Sequence, residues 1–356
     1  MIITRTPYRI SFLGGGTDYP GWFRQHGGAV ISTSIDKYCY LTCRHLPPFF
    51  EHRYRIVYSR TEDCLLVDEN KHPAVREGLK YLGLTQGIEL HHDGDLPARS
   101  GMGSSSSFAV GLMQALHGLQ NEMVSKEQLA KEAIILEQEI LKENVGSQDQ
   151  ISAAYGGFNH ITFLTNGEFV VRPIILGRQR MTEFHDNFML FFTGIKRTAS
   201  DIAASFVPNI DDKKRQLRVL RELVEEGMGL LTSGRDLLGF GDLLHEAWVA
   251  KKGLSNLISN SEVDQAYDAA RSAGAIGGKL IGAGGGGFLL LYVPPERQAR
   301  VRSALPGLIH VPFQFEFEGS KTVFYDPEQD YTSLAEERQR QDVTSFREWR
   351  APAPAA

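Results

Sequence analysis

The segment Leu96-Pro-Ala-Arg-Ser-Gly101-Met-Gly103-Ser-Ser-Ser-Ser107 gathers residue types that hold a phosphate. Small residues let backbone N–H groups approach an anion, and the start of a helix adds partial positive charge. The apolar run at 108–119 reads as that helix. Hydroxyls of Ser104, Ser105 and Ser106 can cap it, bind phosphate oxygens or ligate magnesium, and four successive serines exceed what a cap requires. No Gly-Lys-Ser/Thr closes the loop, so it is not a Walker loop, and it lacks the Gly-x-Ser-x-Gly of a hydrolase elbow. Gly101, Met102 and Gly103 with Ser104–Ser106 therefore form a candidate phosphate-binding loop.

A second glycine run, Gly282-Ala-Gly284-Gly285-Gly286-Gly287, formally contains GxGxxG. A dinucleotide fingerprint opens a helix, whereas this run leads into the strand-like segment 288–293, so a Rossmann site is rejected. Two readings remain, a tight turn between a helix and a strand or close backbone approach to a substrate around Gly284 and Gly285. Residues three and four from Glu137 are Ala133, Ile134, Ile140 and Leu141, which places this carboxylate on a buried helix face. It must meet a cation or shift its pKa, and it is read as a magnesium ligand ahead of a structural ion pair. Glu139, with Leu136, Lys142 and Glu143 at the same spacings, reads as solvated. Asp149 could cap the next helix, or accept or orient a hydroxyl proton during phosphoryl transfer. Arg9 could stabilise phosphate charge, tune Asp149, or simply face solvent.

The elements carrying these residues mix strands and helices without regular βαβ alternation, which favours an α+β class. Tyr8, Ile10 and Phe12 alternate with Arg9 and Ser11, the period of a strand. A capping box at Ser125 and Gln128 opens a helix over 125–143, and Thr165-Asn166-Gly167 turns a hairpin. Segments 313–317 and 321–325 suggest a final hairpin. With 356 residues, 42% hydrophobic and 23% charged, the chain is globular and long enough for two domains. The expected division is 1–180, 181–330 and a charged tail over 331–356. A net charge of -5 argues against nucleic acid or an anionic membrane as partner. No signal peptide or bilayer-spanning run is evident, and three cysteines without metal-ligand spacing fit the cytoplasm.

Together, Pro7-Tyr8-Arg9-Ile10-Ser11-Phe12-Leu13-Gly14-Gly15-Gly16-Thr17-Asp18, the segment 96–107 and the segment 279–288 resemble the three motifs of the GHMP superfamily of small-molecule kinases. The resemblance covers residues 2 to 325. It implies a GHMP kinase fold, with an N-terminal half like ribosomal protein S5 domain 2 and a ferredoxin-like C-terminal half. It assigns Asp149 and its basic partner Arg9 to catalysis, the loop Gly101–Ser106 to ATP phosphates, and Ser105 and Glu137 to Mg2+. It places Asp18 with Gly16 and Thr17 against sugar hydroxyls. Within the superfamily, Gly14-Gly-Gly-Thr-Asp18, Ser34-Ile-Asp36-Lys37-Tyr38, Phe191-Phe-Thr-Gly194 and Leu244-His245-Glu-Ala-Trp248 resemble bacterial D-glycero-D-manno-heptose 7-phosphate kinases. Galactokinases carry Glu and His where this chain has Gly15 and Gly16, which leaves room for a larger sugar. The implied reaction phosphorylates the anomeric hydroxyl of the heptose 7-phosphate. Lys251, Lys252, Lys196 and Arg197 are candidates for the substrate's own phosphate. Other acceptors, such as fucose or a hexose phosphate, and a non-catalytic sugar- or nucleotide-binding regulator stay open as alternatives.

Overall fold

The computed structural model describes residues 1–341 apart from Arg99, 196–198 and 328–330. Nine strands form one sheet: β1 (Ile2–Leu13), β2 (Gly28–His45), β3 (Tyr54–Val57), β4 (Thr61–Cys64), β5 (Ile88–Gly94), β6 (Phe158–Phe163), β7 (Phe169–Pro173), β12 (Phe315–Glu316) and β13 (Lys321–Tyr325). Four more, β8 (Phe188–Phe192), β9 (Gly277–Leu280), β10 (Phe288–Tyr292) and β11 (Ile309–His310), form an antiparallel sheet in the order β11-β8-β10-β9. Strand β2 is long enough to pair β6 through its first half and β5 through its second, with β1 alongside both.

The alternation in β1 separates two buried surfaces, not core from solvent. Ile10 and Phe12 are fully buried, and Arg9 and Ser11 are nearly so. On one side helix Ser104–Leu119 lies so close that a Cβ on Gly111 would sit 2.8 Å from Thr6 Oγ1. Around Phe12, the rings of Phe158, Phe184, Phe188, Phe240 and Phe315 stand 5.0 to 6.2 Å away between centroids. These rings come from both sheets and from helices Arg178–Asp186 and Leu238–Lys252, so the two sheets share one aromatic core. That shared packing fixes the relative position of the motifs.

Three sequence expectations change. The final hairpin is absent: β13 pairs β1 and β12 pairs β2, so the segment closes the large sheet instead. The glycine run at 282–287 joins two antiparallel strands, because Gly277–Leu280 forms β9 ahead of it. The helix expected over 125–143 is α-helical for Lys126–Ile134 and π-helical for Ile135–Ile140, closing with Leu141 N–H on Leu136 O at 2.9 Å. Ser125 Oγ does accept from Gln128 N, but the Gln128 side chain donates to Glu132, so only half of the capping box forms. The hairpin between β6 and β7 stands as expected.

Candidate active site

Arg9 in β1 ties three segments together. Its Nε and Nη2 donate to Asp149 Oδ1 and Oδ2, each at 2.6 Å, and its Nη1 donates to Gly101 O at 2.8 Å. A planar fork matched to both carboxylate oxygens is the strongest geometry such a pair adopts. Asp149 lies in the first turn of helix Gln148–Tyr155 but caps nothing; Ser147 occupies the cap position. A Cβ added to Gly103 would meet Asp149 Oδ2 at 3.4 Å, so the carboxylate stands over the start of helix Ser104–Leu119.

That helix start is built by glycine. Gly103 is its N-cap residue with φ +73°, a left-handed conformation that costs glycine nothing, and no side chain caps the first turn. The N–H groups at the start are left for a ligand. At Gly101, with φ +82°, a Cβ would lie 2.6 Å from Ile281 O, so the loop packs its backbone directly on the β9–β10 connection. The serines turn inward: Ser105 Oγ and Ser106 Oγ donate to Glu137 Oε1 and Oε2 at 2.5 and 2.7 Å, and Ser107 Oγ donates to Pro7 O.

Glu137 is 1% exposed, as its spacing predicts, and Glu139 is exposed. The carboxylate also accepts from Gln150 Nε2 at 2.5 Å. Burial pushes its pKa up to about 7, against the pull of Ser105 and Ser106 and aided by the charge of Glu143. Among the described residues it makes no ion pair, so a cation at this point would relieve its burial. Those residues contain no group of three or more His, Cys, Asp or Glu able to hold a metal. A magnesium ion needs none, since it is held by one or two protein oxygens with phosphate and water completing the shell. Glu137 and the hydroxyl that Ser105 turns onto it fit that donor set.

Arg9, Asp149, the loop residues Gly101, Gly103, Ser104, Ser105 and Ser106, and Gly16, Asp18, Lys251 and Gly284 line one cavity of about 340 Å³. The other candidates do not line it, and Glu137 touches it only through Ser105 and Ser106. Met102 has its side chain in the core and only its carbonyl on Arg9 N–H. Thr17 is fully buried, donating to Gly14 O and Ala29 O, so it fastens the turn. Gly285 is held by backbone to Ile258 and stands behind the cavity wall. Lys252 pairs with Asp264 at 3.2 Å and lies near the Trp248 ring, away from its neighbour. Lys196 and Arg197 fall outside the described residues. Asp18 reaches the cavity, but its carboxylate accepts from Gly16 N and Gln148 N, and burial raises its pKa.

Among the polar lining residues, Ser11, Tyr19, Glu143, Asn144, Gln148 and Lys279 escaped the sequence reading as site residues. Lys279 had a visible signal, a lone cation in a glycine-rich strand. Its Nζ donates to Phe12 O at 2.9 Å, and Lys251 Nζ donates to Leu280 O and Gly282 O. Burial lowers both, Lys251 to about 7, with Arg9 adding to the effect on each and Lys251 adding to that on Lys279, against the pull of Asp18.

Residues 70–157 match the GHMP kinases N terminal domain, and residues 220–308 match the GHMP kinases C terminal domain. The chain belongs to the GHMP kinases, whose sugar kinases are ATP-dependent phosphotransferases with an alcohol group as acceptor. It is 28% identical over 351 residues to a D-glycero-alpha-D-manno-heptose 7-phosphate kinase of Campylobacter jejuni, covering 90% of this chain and 98% of that one. It is 28% identical to an L-fucokinase/L-fucose-1-P guanylyltransferase of Bacteroides fragilis, covering 85% of this chain and 35% of that longer protein. The fold superposes on a D-glycero-D-manno-heptose 1-phosphate kinase of Bacteroides thetaiotaomicron with a TM-score of 0.74 at 23% identity, over 92% of this chain and all of that one. Among the described residues no helix is long and apolar enough to cross a membrane.

Proposed function

We propose that this protein is a cytoplasmic, magnesium-dependent sugar kinase that phosphorylates the anomeric hydroxyl of D-glycero-D-manno-heptose 7-phosphate to the 1,7-bisphosphate. The observation that carries the chemistry is the Arg9-clamped carboxylate of Asp149 standing over Gly103, where a terminal phosphate on the helix start would face a bound alcohol. Asp149 accepts or orients the hydroxyl proton, and Arg9 fixes the carboxylate in place. Backbone N–H groups at Gly101–Ser104 cradle the phosphates. Ser105 and Glu137 hold the magnesium ion, which supplies charge neutralisation at the phosphates when bound. In this reading an N-terminal ATP-binding domain spans residues 1–180 and a C-terminal domain 181–330, from which β12 and β13 return to the first sheet, with a charged tail over 331–356.

The acceptor's identity rests on charge and space. Lys251 and Lys279 are buried in the cavity wall and make no ion pair among the described residues. Burial lowers the pKa of both amines, and an acceptor that brings its own anion, as a sugar phosphate does, would favour their charged form. Gly15 and Gly16 line the same cavity and add no side chain to it. The Campylobacter relative's name agrees with this choice. The fucokinase relative keeps L-fucose as the alternative, which lacks an anion for the lysines. A non-catalytic regulator would have no use for the assembled Arg9–Asp149 pair. The experiment incubates the protein with Mg-ATP and a panel of sugars and sugar phosphates, recording ADP release and the 31P spectrum of the product. Turnover confined to the heptose 7-phosphate, with a new anomeric phosphate signal, supports the proposal; preference for unphosphorylated fucose overturns it.

A further inference from the structure

We infer that Ser11 and Gln148 form a hydroxyl-reading pair that selects a polyol acceptor beside Asp149. The inference rests on the sugar-kinase reading and deepens it. Ser11 is 4% exposed and Gln148 is 8% exposed, and both line the cavity. Ser11 Oγ and Gln148 Oε1 are buried and have no hydrogen-bond partner among the described residues. Buried polar atoms in folded proteins are nearly always satisfied, because one left without a partner is destabilising. Two of them on one cavity wall are groups waiting for a ligand.

Their placement says which ligand. The two side chains flank Gly15: a Cβ built there would lie 3.3 Å from Ser11 Oγ and 3.5 Å from Gln148 Nε2. The missing side chain at position 15 keeps the space between them open. Both sit on the elements that carry the reacting pair. Ser11 is two residues from Arg9 on the same face of β1, and Gln148 precedes Asp149 with its N–H on Asp18 Oδ2 at 3.3 Å. A ligand touching them is therefore held in register with the carboxylate at position 149. Both groups are uncharged: the Gln148 amide brings an accepting Oε1 and, nearest the opening at Gly15, a donating Nε2, a pairing that suits a hydroxyl, which does both. A serine hydroxyl both donates and accepts. The match is a sugar whose hydroxyls lie close to the one being phosphorylated.

The test is initial-rate kinetics on Gln148→Met and Ser11→Ala with the preferred acceptor of the wild-type panel, and with its monodeoxy analogues. Each variant should raise the acceptor KM roughly 10- to 100-fold while kcat and the ATP KM change far less. One monodeoxy analogue should lose a similar factor with the wild type and nothing further with Gln148→Met. Removing a buried, unpartnered acceptor leaves the fold intact, so Gln148→Met should unfold at or above the wild-type temperature. Unchanged acceptor KM in both variants, or undiminished discrimination against every deoxy analogue, overturns the inference. If the wild type ignores the heptose 7-phosphate but turns over another sugar, the functional reading falls, and the same kinetics on that sugar decide this one. If no sugar is turned over, both fall.

Discussion

Replacing Asp149 by Asn leaves the Arg9 guanidinium buried without its counter-charge, and the structure sets the size of the effect. The Arg9 side chain is 3% exposed and that of Asp149 is 24% exposed, with both fork contacts at 2.6 Å. Breaking a buried pair from one side costs about 3 to 5 kcal/mol, and the partial exposure of Asp149 puts Asp149→Asn near about 3. Arg9→Met should cost about 2 kcal/mol, because the stranded carboxylate can reach water while Gly101 O loses its donor. The double variant should recover about 2 kcal/mol relative to the sum of the two. Urea unfolding of the four proteins measures this, and ADP release measures turnover on the same samples. Turnover should fall about 100- to 10,000-fold in every variant containing Asp149→Asn, with no recovery in the double. Stability effects that simply add would refute the pairing, and near wild-type turnover by Asp149→Asn would refute its catalytic role.

Glu137→Gln should unfold no earlier than the wild type at pH 8, since burial disfavours the charged carboxylate, yet lose its magnesium-dependent turnover; thermal unfolding and a magnesium titration check both halves. Gly101→Ala forces a Cβ against Ile281 O at φ +82°, and should cost about 1 to 3 kcal/mol and raise the KM for ATP, read by unfolding and kinetics together. His117 is gripped by Glu132 and Glu122 at 2.7 and 2.9 Å, with Glu132 the main cause of its raised pKa. A histidine raised on folding contributes stability below its unfolded value near 6.5 and loses it as pH rises through the folded one. The stability difference between wild type and His117→Gln should therefore be larger at pH 6 than at pH 9, and a flat difference across that range would contradict the assignment.

The residues most legible in the sequence were those whose chemistry is local. A phosphate loop needs small residues at a helix start, and a buried carboxylate betrays itself by apolar neighbours three and four positions away, as Glu137 does. What stayed hidden depends on long-range pairing or on direction. Nothing in 315–325 says that these strands complete the first sheet beside β1 and β2, because register with a distant partner is not written in a short segment. Lys251 and Lys252 are adjacent, but successive helical residues point about 100° apart, so one lines the cavity and the other meets Asp264. Within the glycine motifs, Thr17 and Gly285 serve the turn while Gly16 and Gly284 face the cavity. Ser11 and Gln148 look ordinary in one dimension, and only their lack of partners in the fold marks them.

The most direct measurement is a crystal structure of the protein with magnesium, a non-hydrolysable ATP analogue and the heptose 7-phosphate. The terminal phosphate should lie at the start of helix Ser104–Leu119, the metal on Ser105 and Glu137, and the anomeric hydroxyl within about 3 Å of Asp149. A nucleotide bound away from Gly101–Ser106, or an acceptor hydroxyl out of reach of Asp149, would contradict this placement.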